Sequence, residues 1–531
     1  MRLRVTRGAS WLASNAVEIV FIVLVVGAFA YSLRITRQAF FFADEWRVIR
    51  QAGSFTGMFD QYNHSLSVVT MILDRSLVEL FGFTYTPFRV VGLACLFAVP
   101  LTYFLTTRRQ FGAVLAAFLG FPLLWYGRYV SLDPSEHNHN LALLGGIGCA
   151  AALNRGRRAD GVLAAALTLS LCSAGGGVAV AAACLVHNAC TRAHFRRWLA
   201  VLGPSAAWFA WWLIVVGKSP DLGPLALTTS QTIKFIRGLA FTPFVSAGLG
   251  NEWLGYVLLG AFVIVGIRMV SKGLDAGANF LAWSIGVLVW ALGLATSRGV
   301  LANTATFRYR YGALALVLLA VVPRRPIRWP RRFPIATDRR YVLAGACAVL
   351  LLGGARGLAV RSDLQAYAAQ QAGFGRAARG ETLVLGLGPT VVGDDVVLSF
   401  GFGGLRAGAL RSLLSEYHNP LATSRATIDH KLVDLGLVLS RPDGTRDNAC
   451  KQLTKPFTYQ PPGGISSLFL WSRDYPFVVD VRRFGRDWVR LDHARPGEAL
   501  RIELPGFGGV AASEPWQVRA DSACRVGPRS G

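Results

Sequence analysis

The chain has 531 residues, of which 53% are hydrophobic and only 16% are charged. This composition excludes an ordinary soluble enzyme and predicts a polytopic α-helical membrane protein. The formal net charge of +25 resembles that of a nucleic-acid-binding protein, but the excess basic residues lie in short arginine clusters between apolar segments. Membrane topology explains such clusters, so no nucleic-acid partner is expected.

Apolar segments recur along the first two thirds of the chain, and several are short for a membrane crossing. Because a crossing needs about 17 to 25 residues with its flanks, about 11 transmembrane helices are predicted. Between the fifth and sixth segments, Cys172 to Gly177 is either a tight turn or a break in a helix. The segments are Ala16 to Leu33, Phe88 to Leu105, Phe111 to Tyr126, Asn140 to Leu153, Gly161 to Leu171, Gly175 to His187, Trp198 to Val216, Trp253 to Ile267, Phe280 to Thr296, Tyr311 to Val322 and Tyr341 to Leu352.

Basic clusters fall on alternate loops and predict the orientation, with the N-terminus cytoplasmic and the C-terminus outside. The first segment lacks a small-residue cleavage site, so it is predicted to remain as the first helix. The clusters lie near Arg2, Arg108, Arg155, Arg192, Arg268 and Arg324. The predicted outer loops are Arg34 to Pro87, Gly127 to His139, Lys218 to Glu252 and Ser297 to Arg310.

The composition changes after residue 354, which predicts a transmembrane domain over 1–354 and an extracytoplasmic α+β domain over 355–531. Leu405 to Tyr417 is predicted as a helix, and Ser467 to Ile502 alternates as several strands do. Cys450 and Cys524 are the cysteines of this domain. In an oxidising compartment they are expected to form a disulfide.

Asp44 and Glu45 follow the first apolar segment by about ten residues and stand among aromatic residues. A carboxylate that aromatic side chains partly desolvate can have a raised pKa, which suits removal of a proton from a hydroxyl group. Behind this pair, Trp46 to Phe59 and a stretch after Tyr62 are each predicted as a helix in the membrane interface. Asp74 and Arg75 are predicted as a pair on a helix surface.

The second outer loop places Glu136 and His137 where a helix enters the membrane, and polar groups there tend to line cavities. His137 and His139, two residues apart, point to different helix faces, which disfavours a shared metal ion. Arg128 is either a phosphate ligand or an interfacial anchor, and its aromatic neighbours favour the anchor. The last outer loop holds Arg298 and then Arg308 and Arg310, arginines that the orientation rule does not explain.

A long outer loop with an Asp-Glu pair just after helix one, followed by two amphipathic helices, resembles the GT-C superfamily of integral membrane glycosyltransferases. The many-helix body and the extracytoplasmic C-terminal domain also resemble that superfamily. The resemblance implies that Asp44 is the catalytic base and Glu45 its neighbour. Capping of the next helix is the alternative for Asp44. Asn63 and His64 would bind the acceptor or assist the base, or would only begin an interfacial helix.

The Arg-Tyr sequence at Arg308 resembles an element of many GT-C enzymes in which arginine contacts the lipid-linked phosphate, with Arg310 the second match. A guanidinium suits this task because its planar donors meet two phosphate oxygens at once. The alternative is that these arginines extend to lipid headgroups.

The sequence therefore predicts an inverting glycosyltransferase at the outer face of the cytoplasmic membrane, serving the cell envelope. It would use a polyprenyl-phosphate-linked sugar donor and a glycan, lipid or protein acceptor. No cofactor is firmly predicted, and a divalent metal is left open. A transporter or flippase of lipid-linked saccharides is the alternative, and a structural protein with a sensing outer domain is a third hypothesis.

Overall fold

The structure is a computed structural model, and most of what it describes is helical. The helical part covers residues 15–37, 41, 44–60, 66–130, 137–155, 157–215, 229–247, 252–298 and 307–324. Beyond these it describes isolated positions between 344 and 382, and then 406–416, 439–440, 451–452, 457–459, 464–472, 477–482, 488–494, 499–506, 516–520 and 523–526.

The chain divides into two compact units. The first comprises Met1–Ile35, Ala52–Asp74 and Thr86–Gln365, and the second comprises Thr36–Gln51, Arg75–Tyr85 and Ala366–Gly531. The predicted domain boundary after residue 354 stays a prediction.

The described helices are α1 Ala16–Ile35, α2 Asp44–Ala52, α3 Val68–Phe81, α4 Tyr85–Phe111, α5 Ala113–Val130, α6 His137–Leu153, α7 Asp160–Leu171, α8 Gly176–Cys190, α9 Phe195–Val215, α10 Thr229–Ala247, α11 Glu252–Ser271, α12 Leu274–Arg298, α13 Phe307–Ala320 and α14 Ala407–Glu416.

Five of the described helices, α1, α4, α9, α11 and most of α12, are long and apolar enough to cross a membrane. Several others, including α7, α8 and parts of α5, α10 and α13, are apolar but shorter. Side chains such as Phe209 of α9 and Val257 of α11 are exposed, as expected for surfaces that face lipid. These helices support a membrane protein, whereas the count of about 11 crossings stays a prediction.

Polar contacts join the start of one helix to the end of another, which shows that these pairs of helices run in opposite directions. Arg108 at the end of α4 pairs with Glu18 in the first turn of α1 at 2.6 Å. The Asn279 side chain, near the start of α12, donates to Asn154 just after α6 at 3.2 Å and to the Val322 carbonyl after α13 at 2.9 Å.

Arginines from separate predicted cytoplasmic clusters take part in these contacts. Arg197 of α9 binds the Leu153 carbonyl at the end of α6, and Arg324 pairs with Asp275 at the start of α12. The described arginines of several clusters therefore contact residues at these helix ends. This agrees with the positive-inside rule, under which basic clusters lie on one side of the membrane. Which side of the membrane this is stays a prediction.

Two predictions from apolar patterning are wrong in detail. Residues 229–247, assigned to an outer loop, include helix α10, which packs on α11, α12 and α13. Charged and hydroxyl residues among its apolar ones lower its hydropathy below that of a typical crossing. The helix predicted from Trp46 to Phe59 ends at Ala52, and a short 3-10 turn, Gly57–Phe59, follows. Trp46 is fully buried in protein rather than placed against lipid.

Small residues allow α6, α7 and α8 to pack closely. The added Cβ of an alanine at Gly145 of α6 would lie 2.6 Å from the Ala166 carbonyl oxygen of α7. A Cβ at Gly177 of α8 would overlap the carbonyl oxygen of Ser170. The Ser170 hydroxyl itself donates to the Ala142 carbonyl at 2.8 Å. The glycine-rich stretch before α8 is therefore a turn with close helix packing, and the alternative of a broken helix is excluded.

Gly177→Ala is expected to destabilise the protein by about 1–3 kcal/mol, because the new methyl group meets backbone atoms that cannot rotate away. Gly161→Ala is the matched control, since Gly161 is also the second residue of a helix but has no atom within 4 Å of an added Cβ. Thermal unfolding of both variants in detergent checks this. Equal stability of the two variants would contradict the packing described.

The strands form two antiparallel sheets. One has the order β1-β7-β4-β9-β2 and the other β3-β8-β5-β6. The strands are β1 Leu439–Ser440, β2 Lys451–Gln452, β3 Phe457–Tyr459, β4 Gly464–Trp471, β5 Phe477–Arg482, β6 Val489–Ala494, β7 Ala499–Gly506, β8 Trp516–Ala520 and β9 Cys524–Val526.

Alternation along the strands builds the core of this region. Phe477, Val479 and Val481 of β5 are buried, as are Val518 and Ala520 of β8. This pattern confirms the predicted strands between 467 and 502, and helix α14 confirms the predicted helix between 405 and 417. The extracytoplasmic location of this part of the chain stays a prediction.

Candidate functional site

The acid pair lies at the start of helix α2. Asp44 is the first residue of the helix, and its side chain lies outside the described residues. The next residue, Glu45, accepts a hydrogen bond from the Tyr85 hydroxyl at 2.9 Å. An acid in the first turn is favourable for the helix dipole, so capping remains compatible with catalysis at Asp44.

A group of aromatic rings surrounds the start of α2. Phe41 lies 5.0 Å from Trp46 and 4.9 Å from Tyr85, measured between ring centroids. Phe83 stacks on Trp46 at 5.5 Å. Phe41 and Trp46 are fully buried. These contacts place aromatic rings at the start of α2, and the packing of Tyr85 on Phe41 keeps the Tyr85 hydroxyl close to Glu45. The aromatic setting of the Asp44 side chain stays a prediction.

Asp74 does not form the surface pair with Arg75 that its position in the sequence suggested. Asp74 is only 4% exposed, and its Oδ1 lies 3.1 Å from Nε2 of His137, which is 5% exposed. Arg75 instead pairs with Glu79, one helical turn further on, at 2.6 Å. Residues 74 and 75 point to different sides of α3, because successive residues of a helix are about 100° apart.

His137 and His139 face different neighbours, as their spacing predicted. The ring of His139 packs edge-on against Trp290 at 6.1 Å and against Tyr309 at 6.4 Å. The Trp290 indole N–H donates to the Tyr309 carbonyl at 3.2 Å. The starts of α6 and α13 therefore lie side by side, with the latter part of α12 between them.

Two glycines make room for the Trp290 ring. A Cβ at Gly312 of α13 would lie 2.6 Å from this ring, and a Cβ at Gly176 of α8 would overlap it. Trp290 is 6% exposed, so its position is fixed by packing. This fixed ring in turn positions Tyr309, which directly follows Arg308.

The outer arginines lie at helix ends. Arg298 is the last residue of α12 and Arg308 is the second residue of α13, although neither side chain is among those described. Arg310, one residue beyond Tyr309, is half-buried. Arg308 and Arg310 flank Tyr309 in the chain, and Tyr309 belongs to the packed group with Trp290 and His139.

Several predicted site residues lie outside the described residues, namely Asn63, His64 and Glu136. Arg128 belongs to α5, but its side chain is not described. Their roles stay predictions. Among the described residues, no group of three His, Cys, Asp or Glu side chains is placed to hold a metal ion.

The predicted disulfide also stays a prediction, because Cys450 lies outside the described residues. The next residue, Lys451, begins β2, and Cys524 begins the strand β9 with which β2 pairs.

Sequence reasoning missed Tyr85 and Asp74. Tyr85 is 40 residues from its partner Glu45, and no local pattern marks such a pair. The sequence does mark Asp74 as part of a polar row, since Ser67, Thr70 and Asp74 are spaced three and four apart and so lie on one helix face. A row of polar residues on the buried face of an amphipathic helix is unusual and points to a role beyond packing.

No protein-family model matches the sequence, and no curated protein matches it. Among solved structures, the chain is similar to ArnT from Cupriavidus metallidurans in the apo state, with a TM-score of 0.41 and 15% identity over 78% of this chain and 75% of that one. The structure of the same protein bound to undecaprenyl phosphate gives a TM-score of 0.40 and 15% identity over 77% of each chain.

An oligosaccharyltransferase from Archaeoglobus fulgidus, crystallised with zinc and sulfate, gives a TM-score of 0.38 and 13% identity over 68% of this chain and 55% of that one. With TM-scores below 0.5, these likenesses establish neither the fold nor the activity of this chain.

Proposed function

We propose that the protein is an integral membrane glycosyltransferase that transfers a sugar from a polyprenyl-phosphate donor to an acceptor at the outer face of the cytoplasmic membrane. Asp44 is the general base that removes the proton of the attacking hydroxyl group. Arg308 is the ligand of the donor phosphate, with Arg310 beside it and Arg298 at the end of the preceding helix. Direct attack by the acceptor inverts the configuration at the anomeric carbon.

The observation that carries the proposal is the start of α2, where Glu45 contacts the Tyr85 hydroxyl and buried aromatic rings pack beside it, in a protein with helices long and apolar enough to cross a membrane. Because Glu45 is engaged with Tyr85, we assign it to positioning the helix start and Asp44 to proton transfer. A partly desolvated carboxylate is a stronger base than one in water, which suits this role.

A transporter of lipid-linked saccharides is the second candidate, and the distribution of buried charge disfavours it. A transport path needs polar groups near mid-bilayer depth. In the described helices α4, α8 and α9, the buried basic side chains Arg89, His187 and Arg197 lie within the first or last five residues. Charge placed at the helix ends suits chemistry at the membrane boundary better than a path through it.

Arg308→Gln is expected to lower kcat/KM for the lipid donor about ten- to a hundredfold, since a charge-assisted hydrogen bond contributes about 1.5–3 kcal/mol. Arg308→Lys should recover only part of this loss, because lysine keeps the charge but not the paired donors. The measurement is steady-state transfer at varied donor concentration.

Arg268→Gln, at the end of α11, is the control for a general loss of basic charge and should leave kcat/KM unchanged. An unchanged donor kcat/KM in Arg308→Gln would remove Arg308 from the site.

The proposal as a whole is tested with purified protein in proteoliposomes. The vesicles contain radiolabelled undecaprenyl-phosphoryl sugars, and a cell-envelope extract provides the acceptors. Label should move to an acceptor, and the new glycosidic bond should have the opposite anomeric configuration to the donor. A product that retains the donor configuration would refute the direct-attack mechanism.

A further inference from the structure

The buried face of α3 carries an unusual row of polar side chains. Ser67, Thr70 and Asp74 are at most 4% exposed, and their spacing places them on one face of the helix. Ser67 directly precedes the first helical residue, and the backbone N–H of Val69 donates to the Cys172 carbonyl at 3.1 Å. The start of α3 is therefore held against the turn between α7 and α8.

Helix α6 carries two further buried polar side chains, and the first of them contacts Asp74. His137 contacts Asp74 at 3.1 Å, and Asn140 lies one helical turn beyond His137. Asn140 is 2% exposed. We call Ser67, Thr70, Asp74, His137 and Asn140 the α3–α6 polar seam.

Three oxygen atoms of this seam have neither a hydrogen bond nor an ion pair among the described residues. They are the hydroxyl oxygens of Ser67 and Thr70 and the side-chain carbonyl oxygen of Asn140. A buried polar atom without a partner is costly, and apolar residues of the same size would remove that cost. Three such atoms on facing helices therefore indicate a ligand that supplies their hydrogen bonds.

The functional groups of the seam indicate which class of ligand it would bind. Its side chains offer two hydroxyls, an amide, a carboxylate and an imidazole, a set with both hydrogen-bond donors and acceptors. A phosphate group, which has only acceptors and carries negative charge, would meet the Asp74 carboxylate unfavourably. A ligand with several neighbouring hydroxyl groups satisfies the same atoms, because each hydroxyl both donates and accepts.

We propose that the α3–α6 polar seam is a binding site for the hydroxyl groups of a saccharide, with Asp74 and His137 held together at its charged end. Its part in transfer depends on the proposed function, whereas saccharide binding itself does not. The sugar comes either from the lipid donor or from the acceptor, and both present the same hydroxyl chemistry.

The test uses full-length protein in nanodiscs and three probes, the n-hexyl glycosides of glucose, mannose and galactose, with hexanol as the tail-only control. Saturation-transfer NMR should show binding of at least one glycoside beyond hexanol. Thr70→Val should weaken that binding about fivefold and should raise or preserve the thermal midpoint, because it removes an unpaired buried hydroxyl. Asn140→Leu should weaken binding in the same way.

Thr107→Val is the matched control. Thr107 is also fully buried, but its hydroxyl donates to the Tyr103 carbonyl at 2.8 Å near the opposite end of the bundle. This variant should lose stability and keep glycoside affinity. The proposal is overturned if no glycoside binds the native protein, or if Thr70→Val lowers the thermal midpoint as Thr107→Val does and leaves affinity unchanged.

Competition with undecaprenyl-phosphoryl glucose then distinguishes the two sources. Displacement of the bound glycoside supports a seam that holds the donor sugar, and simultaneous binding supports one that holds the acceptor. Glycoside binding without any sugar transfer would refute the proposed function but would still support the seam as a saccharide-binding site. Sugar transfer with unchanged affinity and KM in Thr70→Val would refute the seam alone.

Discussion

Asp44→Asn is expected to reduce the rate of sugar transfer about 10²- to 10⁴-fold, the range typical for loss of a general base. Asparagine has nearly the shape of aspartate but cannot accept a proton at neutral pH. It is also as good as aspartate at a helix N-terminus. The substitution therefore keeps the hydrogen-bond acceptor that capping needs, and it removes the negative charge and with it the basicity.

The measurement is the initial rate of label transfer in proteoliposomes, with Glu45→Gln as the matched control. The glutamine side chain would still accept the hydrogen bond from Tyr85 through its carbonyl oxygen, so this variant should lose much less activity. Tyr85→Phe removes the same hydrogen bond from the other side and should resemble it. Full activity in Asp44→Asn, or an equal loss in Glu45→Gln, would show that Asp44 is not the base.

Asp160→Ala is expected to destabilise the protein by about 2–3 kcal/mol, somewhat less than breaking a fully buried ion pair, because this pair is partly buried. Arg197, whose side chain is 6% exposed, donates to Asp160 at 3.0 Å. His194 lies 2.7 Å from the other carboxylate oxygen. Without Asp160, the buried guanidinium of Arg197 would lose this carboxylate partner, and this is why the substitution destabilises the protein.

The stabilisation that Asp160 contributes to the folded protein depends on pH. Asp160 directly precedes the apolar segment that begins at Gly161. Burial by itself raises the pKa of Asp160, but hydrogen bonds from Arg197 and His194 outweigh burial and hold that pKa below its ordinary value. The stabilisation is therefore complete above the unfolded-state pKa and is lost as pH falls through the lower folded-state pKa.

Thermal unfolding of Asp160→Ala and the native protein at several pH values measures this effect. The difference between them should be large at pH 7 and should shrink below about pH 4. Glu79→Ala is the control, because the Arg75–Glu79 pair is largely exposed and should contribute less than about 1 kcal/mol. Equal effects of the two variants would show that the Asp160 contacts do not stabilise the fold.

Local patterns in the sequence predicted the features that depend on neighbouring residues. Hydropathy located the five long apolar helices, and period-two alternation located strands such as β5. The change from apolar residues to aromatics and acids after the first helix marked Asp44 and Glu45. The spacing of His137 and His139 correctly placed them on different faces, because helix geometry alone determines that.

The features that sequence reasoning missed depend on distant partners. No residue near Asp74 in the sequence indicates that His137 will lie beside it, so the local sequence predicts a surface pair of Asp74 with Arg75 instead. Helix α10 was missed because its apolar face is covered by α11, α12 and α13 rather than by lipid alone, which lets it carry polar residues. The end of α2 at Ala52 is an exception, because the adjacent Gly53 and Ser54 begin a turn there. The regular spacing of the aromatic residues predicted a longer helix in spite of this local signal.

The central claim is that this protein breaks the bond between a sugar and a polyprenyl phosphate, and the most direct measurement is the fate of that lipid. Proteoliposomes with undecaprenyl-phosphoryl sugars and a cell-envelope extract are followed by mass spectrometry. The native protein should release free undecaprenyl phosphate in equal amount to the glycosylated product, and Asp44→Asn should release almost none. Intact lipid-linked sugar that reaches the opposite leaflet without free undecaprenyl phosphate would contradict the claim and identify a transporter.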